Sequence, residues 1–202
     1  MISKLLGVFG FVAFLVGCGS VSPIPSDTFY RFEKVAEGGG AGVDPWSESS
    51  IIVSRIRATG IYKDRAIAQL AADGVSLKQS KYNYWNDSPE IMVQQRLFSH
   101  AQRLRLAPTV SLENHRDAEF VIGGRLLRLE RTVAPSGIAV ELLLNVKRAE
   151  SNEKMLFERR FARQATTDDE TPKAAVKLIS QSLDDIITQF IEEAGQRVHA
   201  TP

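Results

Sequence analysis

Cys18 is the only cysteine in this 202-residue chain, and His100, His115 and His199 are its three histidines. These side chains could supply a thiolate, a general base or a metal ligand. One cysteine makes no internal disulfide. No histidine has a second histidine at helical or strand spacing, and neither His-Glu-x-x-His nor Gly-x-Ser-x-Gly occurs. His100 is expected on a helix surface and His199 in a frayed tail. Asp168-Asp169-Glu170 precede a helix, and Asp184-Asp185 lie opposite that helix's apolar stripe. All four aspartates and the glutamate are therefore read as solvated. Nothing assembles a catalytic constellation, and the chain is read as non-enzymatic, with no metal and no dissociable cofactor.

Cys18 differs from the rest by its position. It follows Leu5–Gly17, a thirteen-residue stretch without charge, behind a short head carrying Lys4. That length suits the core of a signal peptide and falls short of the roughly 20 apolar residues of a membrane-spanning helix. Leu15-Val16-Gly17-Cys18 resembles a bacterial lipobox. Small side chains beside the scissile bond admit the signal peptidase, and a thiol can accept a diacylglyceryl thioether. Cleavage before Cys18 then frees an amine for a further N-acyl chain. An ordinary secretory leader with a chance cysteine is the alternative. Each buried methylene contributes about 0.8 kcal/mol, so two or three chains on one residue would anchor the protein durably. Gly19 stands where an aspartate would, in lipoproteins of this class, favour retention in the inner membrane. The class rule thus implies the periplasmic face of the outer membrane.

Basic and acidic side chains number 25 and 24. That balance gives no electrostatic reason to expect nucleic acid as a partner. Residues 19–27, GSVSPIPSD, lack helical or strand periodicity and read as an extended tether of at most about 30 Å. Residues 37–50 are glycine-rich, but no Gly-Lys-Ser/Thr follows and no helix opens. A surface loop is the expectation there.

The elements that would position a surface come next. Strands are expected at 28–33, 51–57 and 65–71, then across an Asp73-Gly74 turn at 75–85. A helix should begin at Ser88-Pro89, capped by Ser88, with Ile91, Leu97, Phe98, Ala101 and Leu104 on its apolar face. Segments 118–131, 137–147 and 154–164 alternate and imply an antiparallel meander with one buried face, bent or bulged at Gly123-Gly124. A final helix starts near Thr171-Pro172 with Val176, Ile179, Leu183, Ile186, Ile187 and Phe190 as its stripe. The fold class expected is α+β: an antiparallel sheet with two amphipathic helices on one face, in two layers.

Two surface features could bind a partner. Tyr82, Tyr84 and Trp85 form an aromatic cluster, alternatively a strand end packed on the following helix. Arg125, Arg128, Arg131, Arg159, Arg160 and Arg163 read as a solvated outer face of the meander.

The order of these parts resembles a known family. The lipobox, the FYRF strand, IIVSRIR, the stretch DRAIAQLAADGVSLKQSKYNYWNDSPEIMVQQRLFSHA, the meander and the closing helix are similar to the ABC-type transport auxiliary lipoproteins. These accompany MCE-domain lipid transport systems, including that of the paraquat-inducible operon. The resemblance spans nearly the whole chain after Cys18 and departs from it in the glycine-rich loop at 37–42. It implies a signal peptide at 1–17, a lipidated tether at 18–27, the auxiliary domain at 28–197 and a tail at 198–202. It also implies an MCE-domain protein with its ABC permease and ATPase as partners, and makes a homo-oligomer conceivable. The alternatives are a lipoprotein that binds lipid or another ligand itself, or an outer-membrane or cell-wall assembly factor.

Overall fold

A computed structural model describes residues 25–35, 43–112, 118–149 and 154–200. Two strands carry the architecture. β6 (Ala118–Val133) runs antiparallel to β7 (Ser136–Arg148) over its length, and β7 pairs antiparallel with β8 (Met155–Thr166). This is the expected meander. Alternation aims Phe120, Ile122 and Leu126 of β6 inward, with Ile138, Val140, Leu142, Leu144 and Val146 of β7, and a register shift between Leu126 and Arg128 returns Leu129 to the same face.

The other edge of β6 departs from an all-antiparallel sheet. β2 (Ser50–Ala58) lies parallel to the first part of β6, and β3 (Ala66–Leu70) lies parallel to its end. β4 (Leu77–Trp85) pairs antiparallel with β3, and the short strand β1 (Thr28–Tyr30) pairs parallel with β4. β5 (Thr109–Ser111) lies parallel to β2. The described residues thus form a mixed eight-stranded sheet. Parallel neighbours need long crossovers, and here the sequence between β2 and β6 supplies one through a helix.

The β3–β4 hairpin forms where Asp73-Gly74 predicts it. Gly74 takes φ +70°, a conformation that favours glycine. Asp73 shapes the turn by accepting from the N–H groups of Val75 (2.9 Å) and Ser76 (2.8 Å) and from the Ser76 hydroxyl (2.5 Å). The Ser76 hydroxyl bond, then its N–H bond, hold this carboxyl at about 2.

Both helices pack on the inward face. α1 (Pro89–Arg103) and α2 (Pro172–His199) close the second layer. Every residue of the expected α2 stripe is buried. Phe190 is its centre, 6.0 to 6.1 Å from the rings of Trp46, Phe157 and Phe161. Thr171 caps α2 by accepting from Ala174 N–H at 3.2 Å.

Four expectations at this level need correction. Ser88 makes no side-chain cap to α1; the Asp87 carboxylate accepts the Ser88 N–H instead, at 2.7 Å. The α1 face is rotated: Met92, Val93, Leu97 and Ala101 are buried, while Ile91 and Phe98 are half-buried. Trp46 is not part of an open loop. It is buried on Phe190, and its backbone N–H donates to the Leu106 carbonyl at 2.7 Å. The helix also runs beyond residue 197 to His199 and buries Val198, so those residues belong to the fold and not to a tail.

Candidate functional site

The residues of the expected lipidation site, Leu15, Val16, Gly17, Cys18 and Gly19, lie outside the described residues. His115 and the glycines at 38–40 lie outside them too. What the structure does describe is where the tether enters the domain. Residues 25–27 lead directly into β1, which hydrogen-bonds to β4 through Thr28↔Asn83, Phe29↔Tyr84 and Tyr30↔Trp85. The chain then crosses onto the helices, and side chains of both helices grip one residue there. Arg96 on α1 donates Nη1 to the Glu33 carbonyl, and Ser180 on α2 accepts the Glu33 N–H at 3.1 Å.

A buried polar cluster supports that grip. Asp184 on α2 receives Arg96 in a two-pronged pair, Nε to Oδ1 at 2.7 Å and Nη2 to Oδ2 at 2.6 Å. His100 Nε2 lies 2.8 Å from the same Oδ1, and His100 Nδ1 lies 3.2 Å from Arg103 Nη2. A guanidinium offers only donors, so Nδ1 accepts and Nε2–H donates to Asp184. Burial alone would raise the Asp184 pKa; hydrogen bonds from His100 and Arg96 outweigh it and hold the carboxyl below its usual range. This corrects two expectations. His100 is 1% exposed, not a helix-surface residue, and Asp184 is half-buried and triply bonded, not solvated. Only Asp185 of that pair is exposed. Both His100 ring nitrogens are occupied, which leaves neither to accept a substrate proton.

A second buried charge sits on the opposite face of the sheet. Glu130, 1% exposed, is bound by Arg128 and by the Tyr62 hydroxyl at 2.5 Å from the short 3-10 turn at Gly60–Lys63. Burial and this carboxylate push the Tyr62 hydroxyl well above its ordinary value. Glu130 is an anchor for that turn, paired as a buried charge must be.

The aromatic cluster divides. Trp85 is 1% exposed and meets Phe32 edge-on at 5.3 Å. It is core, which corrects its assignment to a partner surface. Tyr84, next to Trp85 in the regular register with β1, points to the other face of β4. Tyr82 is 38% exposed. Tyr84 lies 5.7 Å from Phe29, which is 56% exposed, and Arg65 lies over the Phe29 ring at 5.4 Å. Two exposed aromatic rings, Tyr82 and Phe29, and the half-buried Tyr84 thus flank the chain's entry at β1. Phe29 was missed in the sequence because its burial depends on whether β1 has a strand beside it.

The arginine set divides as well. Arg159 and Arg163 share the inward parity of Phe157 and Phe161 and reach α2, at Glu193 (2.5 Å) and Gln189 (2.6 Å). They tie the edge strand to the helix layer and do not face outward. Arg160 pairs with Glu141 on the outer face, and Arg131 donates to the Glu170 carbonyl at 2.9 Å. Among the described residues, no group of three His, Cys, Asp or Glu side chains could hold a metal. No described helix is long and apolar enough to cross a membrane.

No family model matches the chain. No curated protein matches it. Solved structures do. A Xanthomonas campestris protein of the DUF330 family superposes with a TM-score of 0.72 at 16% identity, over 86% of this chain and 100% of the other. An uncharacterized protein follows at 0.63 and 12%, over 83% and 98%. A hypothetical protein of Chlamydia trachomatis gives 0.49 and 9%, over 76% and 100%. At these identities the first two likenesses establish the fold: a two-layer α+β domain of the architecture seen in the DUF330 protein.

Proposed function

We propose that this chain is a periplasmic lipoprotein that docks a transport assembly at the outer membrane and carries out no chemistry of its own. Acyl chains on Cys18 hold it at the periplasmic face, and residues 19–27 tether the domain within about 30 Å of the bilayer. The observation that carries the reading is the Leu15-Val16-Gly17-Cys18 sequence, the only position in the chain whose chemistry is specific. The resemblance to the ABC-type transport auxiliary lipoproteins supplies the partner: an MCE-domain protein backed by an ABC permease and ATPase, moving phospholipid or another hydrophobic substrate. Tyr82 and Phe29, both exposed, form the docking surface with the half-buried Tyr84, since rigid aromatics are typical interface anchors. The filled interior favours docking over carriage: Phe190, Trp46, Phe161 and Leu142 occupy the space between sheet and helices.

Crosslinking in cells followed by purification tests this. The MCE-domain protein should be captured by the parent and lost with the Tyr82→Ala/Tyr84→Ala variant. Capture unaffected by that variant would remove the docking surface, and a recovered complex without any MCE-domain protein would overturn the partner.

A further inference from the structure

The sheet face turned away from the helices carries a groove of about 480 Å³ across β2, β6, β7 and β8. Gly123 forms its floor. It lies opposite a bulge in β2 between Val53 and Ile56, and its register partner on β7 is Asn145. A Cβ at this position would come within 2.7 Å of Ser54 Oγ and 3.2 Å of Asn145 Oδ1. Two polar side chains therefore lean over a residue that has no side chain. Ser54 is fixed there by donating to the Ile122 carbonyl at 3.0 Å.

The walls are cationic. Arg57 and Arg125 are direct register neighbours on β2 and β6, and both line the groove. Like charges side by side on a sheet are unfavourable. Elsewhere on the meander arginines are partnered: Arg128 with Glu130, Arg159 with Glu193, Arg160 with Glu141. For the side chains of Arg57 and Arg125, no hydrogen bond or ion pair forms among the described residues. Lys147 adds positive charge at the far end, and Arg55 stands at the rim with its Glu90 partner 3.7 Å away. Among the lining residues the carboxylate is Glu158, which accepts from Asn145 Nδ2 at a long 3.4 Å. A concave site with this imbalance, in a chain of net charge +1, concentrates positive potential locally.

We propose that this groove binds an oxyanion of the phosphate class, a phosphate ester held between Arg57 and Arg125. Adjacent strands place the two arginine backbones roughly 5 Å apart, close enough for both guanidinium forks to reach one anion. A tetrahedral oxyanion has enough oxygens to meet both forks at once, whereas a carboxylate satisfies one. The bound anion would also relieve the repulsion between the two arginines. The inference stands independently of acylation at Cys18 and of docking at Tyr82 and Tyr84, which lie on other strands or outside the domain.

Thermal unfolding of the full chain in non-ionic detergent tests it, at matched ionic strength, with three probes: inorganic phosphate, short-chain phosphatidylglycerol and acetate. At tenfold excess over Kd, phosphate or the lipid should raise Tm by roughly 3–5 °C, and acetate should not. The stronger of the first two identifies a free phosphate ester or a lipid headgroup as the source. The Arg57→Gln/Arg125→Gln variant should lose the shift while melting no lower than the parent without ligand. Each single glutamine variant should weaken binding by about tenfold or more in a ³¹P titration. Lys177→Gln, exposed on α2, should leave it unchanged. No shift from either phosphate probe, a shift that survives the double variant, or an equal shift from acetate would each overturn the proposal.

Discussion

Asp184 accepts from Arg96 twice and from His100 once, so its loss strands a buried guanidinium and a buried imidazole. Asp184→Asn is expected to cost about 2–4 kcal/mol in urea unfolding, toward the low end because the carboxylate is partly exposed. The pH dependence has a definite sign. A carboxyl whose folded value is depressed contributes stability above its unfolded value, here the ordinary 3.8, and loses it as pH falls through the folded value. Below about pH 4, then, the parent should lose stability more steeply than Asp184→Asn; parallel curves would contradict the assignment. The sequence concealed this cluster for a physical reason. Arg96 and His100 are polar on α1, and their partner lies 88 and 84 positions away. Hydropathy periodicity sees each helix separately and puts both polar faces in water.

Elements were more legible where the signal is local. The β6–β8 meander, the Asp73-Gly74 hairpin and the α2 stripe follow from alternation, turn chemistry and helical spacing, all short-range properties. The parallel pairing of β2 and β3 on β6 does not, because neither strand records which neighbour it will meet. Two predictions belong here. Phe190→Ala removes the ring against which Trp46, Phe157 and Phe161 pack, and should cost about 3–5 kcal/mol with the urea m-value retained. The end of α1 holds a different opportunity. Arg105 takes φ +52° just past Leu104, and the Leu106 N–H closes onto the Ala101 carbonyl at 3.1 Å. Glycine favours this left-handed capping position. Arg105→Gly should therefore stabilise by about 0.5–1 kcal/mol, net of the greater freedom of the unfolded chain. A lower Tm would show that the Arg105 side chain contributes more than its backbone costs.

At the scale of the molecule, the proposed docking surface lies where residues 25–27 lead into β1. The chain arrives from Cys18 at β1, Phe29 and Tyr84 touch across β1 and β4, and both helices hold Glu33 just beyond. Because Tyr82 is exposed and Tyr84 packs on an exposed ring, their alanine variants should change unfolding free energy by at most about 1 kcal/mol. Loss of partner capture in a domain of near-parental stability would then report an interface and not misfolding. Of this surface, Tyr82 and Tyr84 were legible in the sequence by alternation. Trp85 was misplaced because its ring is buried in the core, where Phe32 meets it edge-on, and Phe29 was passed over because its neighbour β4 lies 55 positions later in register.

The proposed anchoring depends on one residue carrying lipid. Mass spectrometry of the N-terminal peptide from membrane-purified protein measures that directly. The account predicts a peptide that begins at Cys18 and bears a diacylglyceryl thioether, with an N-acyl chain on its amine, and a Cys18→Ala variant that leaves the membrane fraction. A peptide that retains residues 15–17, or begins elsewhere with an unmodified Cys18 thiol, would contradict it.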